Sequence, residues 1–141
     1  MDPEDNREGW AERSGEFSPS YYARIGPNEV SETLADVLDD AASEDAAVLE
    51  VGCGSGRHLD HLRASGFGNL AGLDINDDSF AVMAERYPDL AATGTFHVGA
   101  LEELLPEFEA GAFDVVYSVE TLQHVHPDDA GVFEELLRVT D

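Results

Sequence analysis

The chain has 141 residues, 43% hydrophobic and 27% charged, as in an ordinary globular domain, and no apolar run near the roughly 18 residues of a membrane-spanning helix. Thirty-one Asp and Glu stand against seven Arg and no Lys, a formal net charge of −24. Such self-repulsion is tolerable where salt screens it, which predicts adaptation to molar salt, and it argues against the clustered basic surface that a grip on nucleic acid requires. Residues 1–25 are polar and acidic, with Trp10 and Phe17 as isolated apolar points, and read as an arm before a domain at 26–141. Val30, Leu34, Val37, Leu38 and Ala41 form a helix-period stripe behind Pro27. Ala47–Val51 is a buried strand ending at a glycine cluster, and Arg57–Ser65 a helix capped by Gly66. Leu70–Ile75 is a second strand. Asp77 or Asp78 then caps a helix carrying Phe80, Met83, Ala84 and Tyr87, which Pro88 ends. Thr95–Val98 is a third strand before a short helix at Ala100–Leu105, and Phe113–Val119 is the fourth. Pro127, Asp128 and Asp129 open a last helix with Val132, Phe133, Leu136 and Leu137 on one side.

Strands alternating with helices predict an α/β fold: a Rossmann-like, doubly wound parallel sheet with helices on both faces, in strand order 3-2-1-4. Such sheets continue past four strands. A fourth strand at an edge would carry unpaired N–H and C=O groups, so a longer chain, or a second copy in a homodimer, is expected to cover it.

The strongest local signal is Glu50-Val-Gly52-Cys-Gly54-Ser-Gly56, between a strand and a helix. Glycines there turn the chain sharply and bring bare N–H groups against a ligand at a helix start. A ligand-free turn needs fewer glycines. The spacing G-x-G-x-G differs from the G-x-G-x-x-G of dinucleotide enzymes, and a phosphate loop would need a lysine. Asp74, ending the second strand, is placed to accept both hydroxyls of a ribose or to hold the Asn76–Ser79 turn, and the two roles can be shared. His58 and His61 are expected to be solvated or half-buried on their helix. His124, His126 and Asp128 have the residue types of a metal site, but H-x-H alone is not one, and no metal is expected. The lone Cys53 cannot close an internal disulfide and the acidic start is no signal peptide, so a reducing cytoplasm is the expected compartment.

With these residues the chain resembles the class I S-adenosylmethionine-dependent methyltransferases. The resemblance is carried by VLEVGCGSG (48–56), LAGLDIN (70–76), FHVGALEEL (96–104) and FDVVYSVETLQHV (113–125). It implies that Gly52, Cys53, Gly54 and Gly56 line the methionine and ribose part of S-adenosylmethionine. It implies Glu50 near the cofactor's amino group, Asp74 on the ribose hydroxyls and Ile75 against the adenine. Ala100 and Leu101 match the place after the third strand that meets the adenine. Many members carry an acid there, so in this chain the contact falls to backbone or Glu102. Ser118 to Leu122 stand at the mouth where the family places the methionine end and the acceptor. The Tyr21-Tyr22-Ala-Arg24 stretch is placed to fold over the cofactor, with Arg24 on its carboxylate, or else is an exposed linker.

The activity implied is methyl transfer to an unidentified acceptor, a small molecule in the first instance. A sulfonium is already an activated leaving group, so the protein supplies proximity and a partly dry pocket, and no catalytic residue is fixed. For His124 a packing and turn role is the first reading, with a general base toward an acceptor hydroxyl or amine as the alternative. Two other functions fit the same residues: a non-catalytic scaffold or regulatory subunit, and, against the glycine spacing, an NAD-dependent oxidoreductase. As a part of a longer chain, the 141 residues are expected to be inactive alone.

Overall fold

Strands and helices alternate along the chain in the computed structural model, which describes residues 2–5, 26, 28–119, 121, 122 and 125–141. In order they are α1 (Glu29–Ala41), β1 (Val48–Val51), α2 (Arg57–Ala64), β2 (Leu70–Asp74), α3 (Asp78–Arg86), α4 (Pro88–Thr93), β3 (Thr95–Val98), α5 (Leu101–Leu104), β4 (Val115–Ser118) and α6 (Val132–Val139). Short 3-10 turns stand at Leu105–Glu107 and Pro127–Asp129. Most of the expected arm, together with Pro27, Arg24 and His124, lies outside the described residues.

The sheet is parallel in order β3-β2-β1-β4, as the alternation predicts. Successive side chains of a strand leave on opposite faces, so each face builds its own core. Val48 and Leu70 pack with Ala35, Leu38, Leu59, Leu62, Met83 and Leu90, which brings α1 to α4 onto the first face. Leu49, Val51, Ala71 and Leu73 pack with Leu101, Leu105, Val132 and Val139, which brings α5 and α6 onto the second. Glu50 shares the first face with Val48. The register sets it between Gly72 of β2 and Tyr117 of β4.

Several local expectations change. The buried side of α1 is Ser31, Ala35 and Leu38, while Val30 and Val37 stay 42% and 56% exposed. One residue turns a helix by about 100°, so the offset from Val30 to Ser31 rotates the whole stripe. The rotation lets Ser31 reach a buried histidine of α2, and Asn28 caps the helix in a capping box with Ser31. Neither Asp77 nor Asp78 caps α3 with its side chain: Asn76 Oδ1 accepts the Asp78 N–H at 3.0 Å. Pro88 follows the end of α3 and also opens the separate helix α4, where its missing N–H costs nothing. The fourth strand is shorter than expected. Phe113 forms a parallel bridge with Thr140, its N–H on Val139 O at 3.0 Å and its carbonyl accepting from Asp141 N at 2.8 Å. Part of β4's approach therefore meets the chain's own last residues. In α6 only one side is covered: Val132, Leu136 and Val139 face the second core, while Phe133 and Leu137 stay exposed.

Candidate functional site

Because β1 and β2 run parallel and in register, the loops that leave them meet at one edge of the sheet, where ligands of such folds sit. The glycine loop closes onto β2 through Gly52 N and Cys53 N, both donating to Leu73 O at 2.8 and 3.0 Å. Its three glycines have left-handed backbones, with φ of +72°, +56° and +91° at Gly52, Gly54 and Gly56, and they do different work. A methyl group on Gly52 would overlap the Thr121 side chain, and on Gly56 it would stand 2.6 Å from Leu90 Cδ2 and 2.8 Å from Met83 Cε. Those two glycines permit close packing. At Gly54 a methyl group meets nothing within 4 Å, so bare backbone faces open space at that one point of the loop.

Asp74 binds this loop to the next turn. Its Oδ2 accepts from Gly54 N at 2.8 Å, and its Oδ1 accepts from Asn76 N at 2.8 Å and Ser79 Oγ at 3.3 Å. The turn-holding role left open by the sequence is present, and it extends to the glycine loop. A carboxylate offers about four acceptor positions, so three protein donors do not exhaust it. Burial raises its pKa, against the pull of those same hydrogen bonds. Gly99 N donates to Asp74 O at 2.9 Å, which brings the residues after β3 to the same edge. Ala100 is buried at the cap position of α5, Leu101 packs in the second core, and Ile75 is half-buried beside Asp74. Ser118 Oγ donates to Val51 O at 3.0 Å, joining the ends of β4 and β1.

Beneath the loop lies a polar pair. Glu50 is 2% exposed and its Oε1 accepts from the Tyr117 hydroxyl at 2.8 Å. Burial pushes its carboxyl up to about 8; Asp74 adds to the rise, and Tyr117 and Arg57 oppose it. Cys53 is buried against Gly72, whose lack of a side chain makes the room: a methyl group there would stand 2.7 Å from Cys53 Sγ. Burial drives that thiol well above its ordinary range, which suits a packing residue and not a nucleophile.

The histidines stand differently from one another. His58, expected to be solvated or half-buried, is fully buried with Nδ1 2.6 Å from Ser31 Oγ. The helix packing of α1 on α2 encloses it, and burial with nearby Arg57 and His61 pushes it down to about 4. His126 accepts the Asp128 N–H at 3.1 Å and caps the 3-10 turn. Among the described residues no three His, Cys, Asp or Glu side chains are grouped to hold a metal ion.

The sequence offers no role for Tyr117, and it marks Thr121 and Asn76 only as parts of the segment after the fourth strand and of the turn after Asp74. Each is defined by a neighbour across strands or loops.

Residues 48–141 match the family model of the methyltransferase domain. A ubiquinone biosynthesis O-methyltransferase of Hahella chejuensis is 31% identical over 137 residues, 96% of this chain and 53% of that protein. A dTDP-3-amino-3,4,6-trideoxy-alpha-D-glucopyranose N,N-dimethyltransferase of Streptomyces venezuelae is 31% identical over 85 residues, 59% of this chain and 34% of its own. The chain thus spans about half the length of the first relative and a third of the second. Among solved structures, an S-adenosylmethionine-dependent methyltransferase from Mesorhizobium loti superposes with a TM-score of 0.62 at 22% identity, covering 79% of this chain and 51% of that one. At that identity the likeness is one of fold.

Proposed function

The chain belongs to the S-adenosylmethionine-dependent methyltransferase family, and on that premise we propose that it holds this cofactor at the glycine loop and transfers its methyl group to a small molecule. One observation carries the reading. The Gly54 backbone, with open space beside it, is tied to the Asp74 carboxylate at 2.8 Å, so open glycine backbone and a carboxylate sit together at the ends of β1 and β2.

The residues present fit the cofactor. Asp74 keeps one acceptor position open for a ribose hydroxyl, the second hydroxyl taking the place of one of its three protein donors, and Gly54 leaves backbone open to the methionine and ribose part while Gly52, Cys53 and Gly56 shape the loop around it. Ile75 and the Ala100–Leu101 segment border the adenine side, and Glu50 stands behind the loop toward the amino group. Ser118 and Thr121 flank the mouth. The bound cofactor supplies a methyl group on a sulfonium, already activated for displacement. The chain's own residues bind it, align it and keep water away, which suffices for in-line transfer. Arg24 would meet the cofactor carboxylate through charge-assisted hydrogen bonds, and no catalytic residue is assigned, His124 being a base only if it does not serve the turn.

The names of the relatives speak for an acceptor oxygen or nitrogen, hence a hydroxyl or amine of a small molecule. The family match sets aside the nicotinamide reading. The charge of −24 supports a protein working in molar salt, the lone Cys53 supports a reducing cytoplasm, and the edge position of β4 supports a homodimer. Calorimetric titration in molar KCl tests the cofactor assignment: S-adenosylhomocysteine is expected to bind and NAD not. Binding of NAD alone would overturn it.

A further inference from the structure

Glu50 is the only fully buried carboxylate among the described residues. Around it stand Tyr117 from β4, Cys53 from the glycine loop, Asp74 from the end of β2 and Arg57 from the start of α2, while Gly72, its neighbour on β2, has no side chain. The register makes Glu50 and Tyr117 direct cross-strand partners on one face, and the hydroxyl reaches Oε1 at 2.8 Å. A carboxyl so enclosed holds its proton, since burial penalises the charged form more than one neutral hydrogen bond and one cation favour it. A positive group brought against the loop reverses that balance, because attraction across a short, poorly screened distance favours the carboxylate.

We propose that Glu50 couples cofactor binding to proton release: it is a neutral acid in the free chain and an ionised counter-charge once the cofactor's ammonium group lies at the loop, with Tyr117 as its positioning residue. The O–H bond of Glu50 breaks and its proton passes to the buffer. Tyr117 keeps its own proton and donates to the carboxyl in both states, more strongly to the ionised one. The raised Glu50 value near 8 places neutral pH where this exchange is felt. The inference rests on the proposed cofactor reading.

The test is calorimetric titration of the protein in molar KCl with S-adenosylhomocysteine, which keeps the ammonium group, in phosphate and in Tris at about pH 7. These buffers differ widely in ionisation enthalpy, so the difference in heat counts protons. Expected are release of close to a full proton and an affinity that tightens up to roughly tenfold per pH unit between about pH 6 and 7. Glu50→Gln should release none and bind with a flat pH profile. Tyr117→Phe should still release a proton but bind several-fold more weakly at about pH 7, since a donor to the ionised form is gone. Equal heats in the two buffers, with the ligand bound, overturn this inference and leave the cofactor assignment standing. A proton still released by Glu50→Gln overturns it as well. Absence of binding in both buffers overturns both.

Discussion

The two faces of the sheet are built by different rules. On the first face the apolar packing of α1 to α4 is interrupted by buried polar groups: Glu50 against Tyr117, Ser31 against His58, and Ser79 reaching back to Asp74. On the second face α5, the 3-10 turn and α6 cover Leu49, Val51, Ala71 and Leu73 with Leu101, Leu105, Val132 and Val139, an apolar core with half-buried Ser118 and His97 only at its margin. Apolar burial is non-directional and tolerates small shifts, whereas each buried polar pair demands a fixed geometry. The chain therefore places its geometry-dependent residues on one side of the sheet and a plain hydrophobic anchor on the other.

Substitutions on the anchor side away from Leu101 and Ser118 should touch stability alone. Leu105 is fully buried there, and Leu105→Ala is expected to cost about 2–5 kcal/mol in denaturant melts run in molar KCl. Affinity for S-adenosylhomocysteine should stay within about twofold where the variant is folded. A parallel loss of affinity would mean that the two faces are not separable.

Glu50→Gln should do the opposite, weakening cofactor binding while stabilising the free chain. In the fold the carboxyl keeps its proton up to about 8, against an ordinary value of 4.5, so the unfolded chain ionises first. Its contribution to stability is present below pH 4.5 and is lost as pH rises to about 8. Thermal melts should show the variant ahead by roughly 2–4 kcal/mol at about pH 8 and level at about pH 4.5. Equal stability at both pH values would show that Glu50 is not held neutral.

His58 responds to pH with the reverse slope. Its folded value near 4 lies below the ordinary 6.5, so the unfolded chain takes up the proton first and stability falls as pH drops from 6.5 toward 4. Against a His58→Gln variant, the natural chain should lose roughly 2–3 kcal/mol more across that window. Parallel pH profiles of the two proteins would remove the Ser31–His58 pair from the account.

The smallest effect is expected at Leu137, 78% exposed on the outer side of α6. Leu137→Ser should move stability by no more than about 0.5 kcal/mol. Sedimentation of both proteins is the check: a dimer lost in the variant would assign that side of α6 to a subunit contact.

Much of this was legible before any coordinates. The βαβ alternation, the strand order and the glycine loop follow from hydrophobic period and glycine spacing, which are properties of neighbouring residues. Glu50 and Asp74 stand out in the sequence because each lies near a strand end beside that loop. The α1 stripe was misread because Val30 and Val37 look like core, whereas Ser31 gains a buried partner 27 residues away. The last helix was misread in the same way: Phe133 and Leu137 share the apolar character of Val132 and Leu136 but not their side.

Strand periodicity, the helix that follows Gly56 and the placing of a carboxylate after β2 are written in residues a few positions apart, and local backbone geometry is enough to produce them. The pairing of Glu50 with Tyr117 across 67 residues, the seat of Thr121 on Gly52 and the enclosure of His58 by α1 are not. They exist because parallel register and helix packing bring distant segments to van der Waals distance. A shift of one residue in a strand would turn Tyr117 to the opposite face.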